Sequence, residues 1–147
     1  MQKRTFLLAG AGIAAAAAAA FGLSGRASAD NLTLESPSGS ALASDANTLL
    51  VDIRQPQEWK ETGVIEGALL MTYTGADAFL KAVTPKLKDG QRLALICRSG
   101  NRTSRASAQI AGKVDFPVVD IAGGMGRVLR EGYRPVKPTR KMGCQSC

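Results

Sequence analysis

The chain has 147 residues, a formal net charge of +7 and no histidine. Without an imidazole it is neither a Cys–His hydrolase of the protease type nor a holder of histidine-ligated metal. The positive charge is scattered rather than gathered into a long run, which argues against a nucleic-acid surface and favours small anions as charged partners.

Residues 1–29 carry the three parts of an export signal. "MQKR" is a positive start, "FLLAGAGIAAAAAAAFGL" an uncharged apolar run, and "ASA" a small-x-small cleavage site before Asp30. A membrane anchor fits less well, because a spanning helix needs about 20 strongly apolar residues and this run is mostly alanine. "KRTFLL" also resembles a twin-arginine signal with Lys3 in the place of the first arginine; Sec and twin-arginine export both stay open. The expected location is periplasmic or secreted, with no stable membrane insertion once the signal is cut. "GAG" at 10–12 is no dinucleotide loop, since no strand precedes it. Cleavage leaves 118 residues, and the loss of Lys3, Arg4 and Arg26 lowers the net charge from +7 to +4. That length predicts one domain, residues 30–137, followed by a flexible tail, 138–147.

Along the mature chain, strand patterns alternate with helix patterns. "NLTL", residues 31–34, predicts a short strand, and "SPSGSALAS" a turn into a short helix. "TLLVDI", 48–53, predicts a buried strand, and "QPQEWKETG" a helix that starts at Pro56 and ends at Gly63. "GALLM", 67–71, predicts another strand. "GADAFLKAVTPKLKDG" spaces Ala78, Leu80, Val83 and Leu87 roughly as a helix face does and breaks at Gly90. "RLALIC" reads as a strand apolar on both faces, and "TSRASAQIAGK" as a helix of small residues able to lie close to a sheet. "FPVVDI" gives the last strand and "GGMGRVLREGY" the terminal helix. "RPVKPTRKMGCQSC" has two prolines and little apolar content, and is expected to be extended or mobile. This alternation predicts an α/β fold, a central parallel sheet flanked by helices on both faces, with ligands beyond the carboxyl ends of the strands.

Cys97 ends the "RLALI" strand and opens the loop "CRSGNR". Backbone N–H groups of residues 98–103 can turn inward around its sulfur, and a helix starting near Thr103 adds the positive end of its dipole. Arg98 and Arg102 add full charges, and Gly100 gives the tight turn its backbone freedom. All of these favour thiolate over thiol, so Cys97 is the expected nucleophile, facing an anion-binding pocket. A C-x5-R phosphatase loop needs arginine six positions after the cysteine; Thr103 stands there, and Arg102 comes one position too early. A smaller electrophile, such as a sulfane sulfur, suits the shorter loop.

Three ordered motifs resemble the rhodanese-like family of sulfurtransferases in its single-domain form. "VDIRQPQEWKETGVIEGAL", 51–69, is similar to the family's strand–D-x-R–E-[FYW]–G-x-I-x-G-A segment. "ICRSGNRTSRA", 96–106, is similar to its active-site loop, and "VVDIAGGM", 118–125, to its final strand and double glycine. The resemblance covers about residues 32–136. It implies that Cys97 takes sulfur from a small anionic donor, carries it as a persulfide and passes it to a thiophilic acceptor such as cyanide or a thiol, without a cofactor; a protein acceptor is what a carrier reading adds. Arg98, Ser99, Gly100, Asn101, Arg102 and Thr103 are the implied substrate-binding loop, with Arg102 and Arg98 helping to hold a donor such as thiosulfate. Val64 and Glu66 depart from the family's G-H-I-P-G-A, and Val128 stands where a tryptophan is frequent.

Other residues have plainer roles. Asp52 and Arg54 read as structural, Arg54 pairing with Glu58 and Asp52 satisfying backbone groups at a strand end. Trp59 reads as a core plug, and Gly123 and Gly124 as a tight strand-to-helix turn. "NRT", 101–103, fits a glycosylation acceptor only formally. Cys144 and Cys147 form a C-x-x-C, read first as a surface disulfide or unstructured thiol pair. A redox or resolving role against a Cys97 persulfide, and half of a zinc site, are the alternatives. The whole protein is thus expected to be a sulfurtransferase, with two rival readings: a sulfur carrier that serves one partner protein, or a thiol–disulfide redox protein using Cys144 and Cys147.

Overall fold

A computed structural model of the chain describes residues 29–147. The export-signal reading falls on residues 1–29 and so lies, but for Ala29, outside the described residues. The described residues form a five-stranded parallel sheet in the order β1-β5-β4-β2-β3. The strands are β1 (Leu32–Glu35), β2 (Thr48–Asp52), β3 (Leu69–Leu70), β4 (Arg92–Ile96) and β5 (Val118–Ile121). The helices are α1 (Gly39–Ser44), α2 (Pro56–Thr62), α3 (Ala76–Val83), α4 (Asn101–Ala111) and α5 (Gly124–Arg130). The expected α/β architecture is therefore the observed one.

β4 lies between β2 and β5, pairing Leu95 with Val51 on one side and with Asp120 on the other. Its alternate side chains feed two cores, as a strand covered on both faces must. Leu93 and Leu95 pack with Phe79 and Val83 of α3 and with Ala106 and Ile110 of α4. Ala94 and Ile96 pack with Leu42 of α1, Trp59 of α2, and Met125 and Val128 of α5. Cys97 continues the first set, so the end of β4 delivers it to the side of the sheet that carries α3 and α4. Trp59 is buried, as a core plug should be.

Local chemistry fixes α2. Pro56 stands in its first turn, Gln55 N–H donates to Glu58 Oε2 at 3.0 Å, and Gly63 ends it at φ 73°. Beneath it lies a buried ion pair. Arg54 Nη2 reaches Asp52 Oδ2 at 2.7 Å, with both side chains almost wholly out of solvent. The guanidinium also donates to Thr62 Oγ1 at 2.7 Å and to the Gly63 carbonyl at 2.8 Å. Arg54 thus pairs with Asp52 rather than with the carboxylate of Glu58, and Asp52 also accepts the Arg54 backbone N–H at 3.1 Å.

The carboxyl-terminal segment departs from the expected flexible tail. Val136 exchanges backbone hydrogen bonds with Val64 in an antiparallel bridge, at 2.9 and 3.0 Å. A short 3-10 turn follows at Arg140–Met142, capped by the Thr139 hydroxyl. Cys144 is fully buried in the core beside α2, and is disulfide-bonded to Cys147. The physical reason is local: two β-type backbone bonds, a capped turn and one buried sulfur anchor a stretch that has no apolar periodicity.

Candidate active site

Cys97 follows β4 directly and has no solvent exposure. The chain then turns through Arg98 and Ser99 to Gly100, whose φ of 96° is the left-handed conformation that glycine adopts freely. A side chain there would stand 3.2 Å from the Gly123 nitrogen. This turn aims the Gly100 N–H at Cys97 Sγ, 3.1 Å away. The Thr103 hydroxyl lies 3.7 Å from the same sulfur and 3.0 Å from the Gly100 carbonyl, so its one proton can turn to the carbonyl or, when the sulfur is a thiolate, to the sulfur. Helix α4 begins at Asn101, two residues earlier than its sequence pattern suggests, because Gly100 serves as its N-cap.

Two effects compete at the sulfur. Burial pushes the Cys97 thiol up, while the backbone N–H and hydroxyl of Thr103 and the backbone N–H groups of Gly100 and Ser99 push it down. The hydrogen-bonding groups win, and the thiol is held below its ordinary value. A buried sulfur ringed by N–H donors is a place where negative charge is welcome.

The arginines divide unequally. Arg102 makes a two-pronged ion pair with Glu58 on α2, Nη1 to Oε2 at 2.8 Å and Nη2 to Oε1 at 2.6 Å. That fork holds the Glu58 carboxyl down to about 2. The charge of Cys97 acts on Arg102 only as a lesser influence beside Glu58. The Arg98 side chain makes no hydrogen bond or ion pair among the described residues, and it lines a 220 Å³ cavity with Arg54, Glu58, Met125 and Gly126. Ser99 and Asn101 are exposed, and contribute backbone to the turn and to the start of α4. Thr103 is fully buried beside the sulfur, as Cys97 itself is.

Sequence reasoning did not reach the support beneath the loop. Met125 N–H donates to the Cys97 carbonyl at 2.8 Å, and Gly126 N–H to the Arg98 carbonyl at 2.9 Å. The first turn of α5 therefore grips the cysteine loop by its backbone. Gly124, at φ 54°, lies so close that a side chain would overlap the Cys97 and Arg98 carbonyls. The double glycine is thus a contact surface as well as a turn. Asp120 is the other addition: it is buried on β5, and burial raises its carboxyl against the opposing Thr103 hydroxyl. Its Oδ1 has no partner. The available signal was an acid inside the otherwise apolar run "VVDI".

The three cysteines do not gather. Cys97 belongs to the core on the α3–α4 side of the sheet, and Cys144 to the core on the other side. No group of three or more metal-ligating side chains stands together among the described residues. None of the described helices is long and apolar enough to cross a membrane.

Comparison with known proteins bears on the fold and the family. No curated protein sequence matches the chain significantly. Several solved structures share the fold, among them the three that follow. A protein of unknown function from Rhodopseudomonas palustris CGA009, named as a possible tyrosine phosphatase, is 21% identical with a TM-score of 0.58, over 70% of this chain and 85% of its own. A rhodanese-related protein from Thermoplasma volcanium is 23% identical with a TM-score of 0.54, over 71% of this chain and 99% of its own. A protein from Staphylococcus saprophyticus subsp. saprophyticus is 21% identical with a TM-score of 0.51, over 68% of this chain and 98% of its own. The family model described as "Rhodanese-like domain" matches residues 39–131, a span that holds β2 to β5 and the whole cysteine loop. The chain belongs to the rhodanese-like domain family.

Proposed function

We propose that the protein is an exported sulfurtransferase that moves a sulfane sulfur through a Cys97 persulfide. The observation that carries this reading is the Cys97 sulfur itself, held by the Gly100 N–H at 3.1 Å within a ring of donors that lowers its pKa. The Cys97 thiolate attacks the outer sulfur of an anionic donor such as thiosulfate. A new S–S bond forms at Cys97, the donor's own S–S bond breaks, and sulfite leaves with the bonding electrons. The persulfide's outer sulfur is then attacked by cyanide or by a thiolate. That sulfur leaves with the acceptor, and Cys97 returns as thiolate. The cycle calls for no cofactor.

The loop's donors suit both stages, because each leaves negative charge on sulfur where N–H groups already point. Arg98, exposed one residue after the nucleophile and without an ion pair among the described residues, is the cation for the donor. Arg102 is a positioning residue, since its fork to Glu58 ties the loop to α2. The Cys144–Cys147 disulfide suits an oxidising compartment, in keeping with export. A resolving role for that pair is disfavoured by its place on the other side of the sheet.

Thiocyanate release from thiosulfate and cyanide by the purified protein tests the proposal. Turnover that disappears in Cys97→Ser is expected. Persistent turnover in that variant refutes the mechanism. An intact persulfide without turnover supports the carrier reading, with a partner protein as acceptor. Release of phosphate from an aryl phosphate at a comparable rate contradicts the substrate assignment.

A further inference from the structure

A second cavity has no residue of the Cys97 loop in its lining. A cavity of 590 Å³ opens between the start of α2, the β3 edge of the sheet and the carboxyl-terminal disulfide loop. Trp59, Leu69, Leu70 and Met71 give it an apolar floor. Lys86, Arg140 and Lys141 supply its only charges, and no acidic residue lines it. None of these three cations is engaged in an ion pair among the described residues. Trp59 is buried, and its indole N–H has no hydrogen-bond partner. A neighbouring cavity of 310 Å³ shares Leu69, Lys86 and Lys141, and extends the apolar lining through Leu49 and Met142.

We infer that this cavity binds an organic anion, a carboxylate or phosphate carried on a flat or branched apolar body. The body rests on the Trp59–Leu69–Leu70 floor, where desolvation favours it, and the anionic head meets Lys86, Arg140 and Lys141. Gln145 and Ser146 form one wall, and the Cys144–Cys147 disulfide holds them there. None of the lining residues belongs to the Cys97 loop.

Trp59 is the single tryptophan of the chain, which gives one indole N–H resonance by NMR. The full protein is titrated with 2-naphthoate, 2-naphthyl phosphate, neutral 2-naphthol and inorganic phosphate. The two organic anions should move the Trp59 resonance saturably, and 2-naphthol should bind about tenfold more weakly. Exposed Lys86→Gln, which lies outside the carboxyl-terminal segment, and the pair Arg140→Gln/Lys141→Gln should each weaken binding several-fold. Both variants should keep the backbone spectrum and the sulfur-transfer rate. Equal binding of 2-naphthol, or full affinity in both variants, overturns the proposal. Saturation by inorganic phosphate at the same affinity overturns the part assigned to the apolar floor. Because Cys97→Ser should bind the naphthyl anions unchanged, a failure of the sulfur-transfer reading leaves this result untouched.

Discussion

Arg54→Met removes the cation beneath α2 and leaves Asp52 behind. The lost contacts can be counted from the geometry. Two bonds from Nε to Asp52 at 3.0 Å disappear, with one from Nη2 to Asp52 at 2.7 Å, one to Thr62 at 2.7 Å, one to the Gly63 carbonyl at 2.8 Å and a longer one to the Glu58 carbonyl at 3.4 Å. Asp52, with no solvent exposure, keeps only the Arg54 backbone N–H. Removing one partner of a fully buried pair costs roughly 3–5 kcal/mol, because the remaining charge has neither water nor a counter-ion. For a domain of this size, that is a fall in Tm of roughly 10–20 °C. Urea denaturation followed by Trp59 fluorescence measures it. The double variant Asp52→Asn/Arg54→Met should regain about half the loss, since a neutral amide is cheaper to leave buried. A loss below about 1 kcal/mol in Arg54→Met would refute the idea that the pair is closed to solvent.

Three other outcomes follow from the site. Thr103→Val takes a hydroxyl from beside Cys97 Sγ, which removes one of the influences that lower the thiol's pKa. The acidic limb of the activity–pH profile, and of iodoacetamide alkylation of Cys97, should therefore move to higher pH; an unmoved limb contradicts the role given to the hydroxyl. Gly124→Ala forces a side chain against the Cys97 and Arg98 carbonyls at a left-handed φ. A displacement of even about 1 Å at the nucleophile should cut turnover by about 10²-fold, more than a comparable loss of stability elsewhere would. The Glu58–Arg102 pair should couple by about 0.5–1 kcal/mol in a double-mutant cycle, a modest value because Arg102 is partly exposed. Since the Glu58 carboxyl lies below its unfolded value of 4.5, its contribution is complete above that pH and fades as pH falls towards about 2. Glu58→Gln should therefore flatten the acid side of the stability curve.

Some of this was written in local sequence and some was not. β4 and the cysteine loop were legible because an uninterrupted apolar run, "LALI", meets a glycine-containing loop and a small-residue helix. The α2 boundaries followed from Pro56 and Gly63. The start of α4 was misjudged by two residues, since Gly100 caps through its backbone and has no side-chain signal. Ion-pair choices were beyond local reading: Glu58 meets Arg102 across 44 positions of chain, leaving Arg54 to fold back on Asp52. The grip of α5 on the loop uses backbone N–H groups that every residue possesses. The carboxyl-terminal segment looked free because one buried cysteine and two bonds to Val64 make no periodic pattern.

The central claim is that sulfur resides on Cys97 between donor and acceptor. Intact mass spectrometry after exposure to thiosulfate, with peptide mapping to Cys97, tests it most directly. The expected result is a gain of one sulfur atom on Cys97 that cyanide removes with stoichiometric release of thiocyanate. A protein that turns over while Cys97 never gains sulfur, or that carries the sulfur on Cys144 or Cys147 instead, contradicts the account.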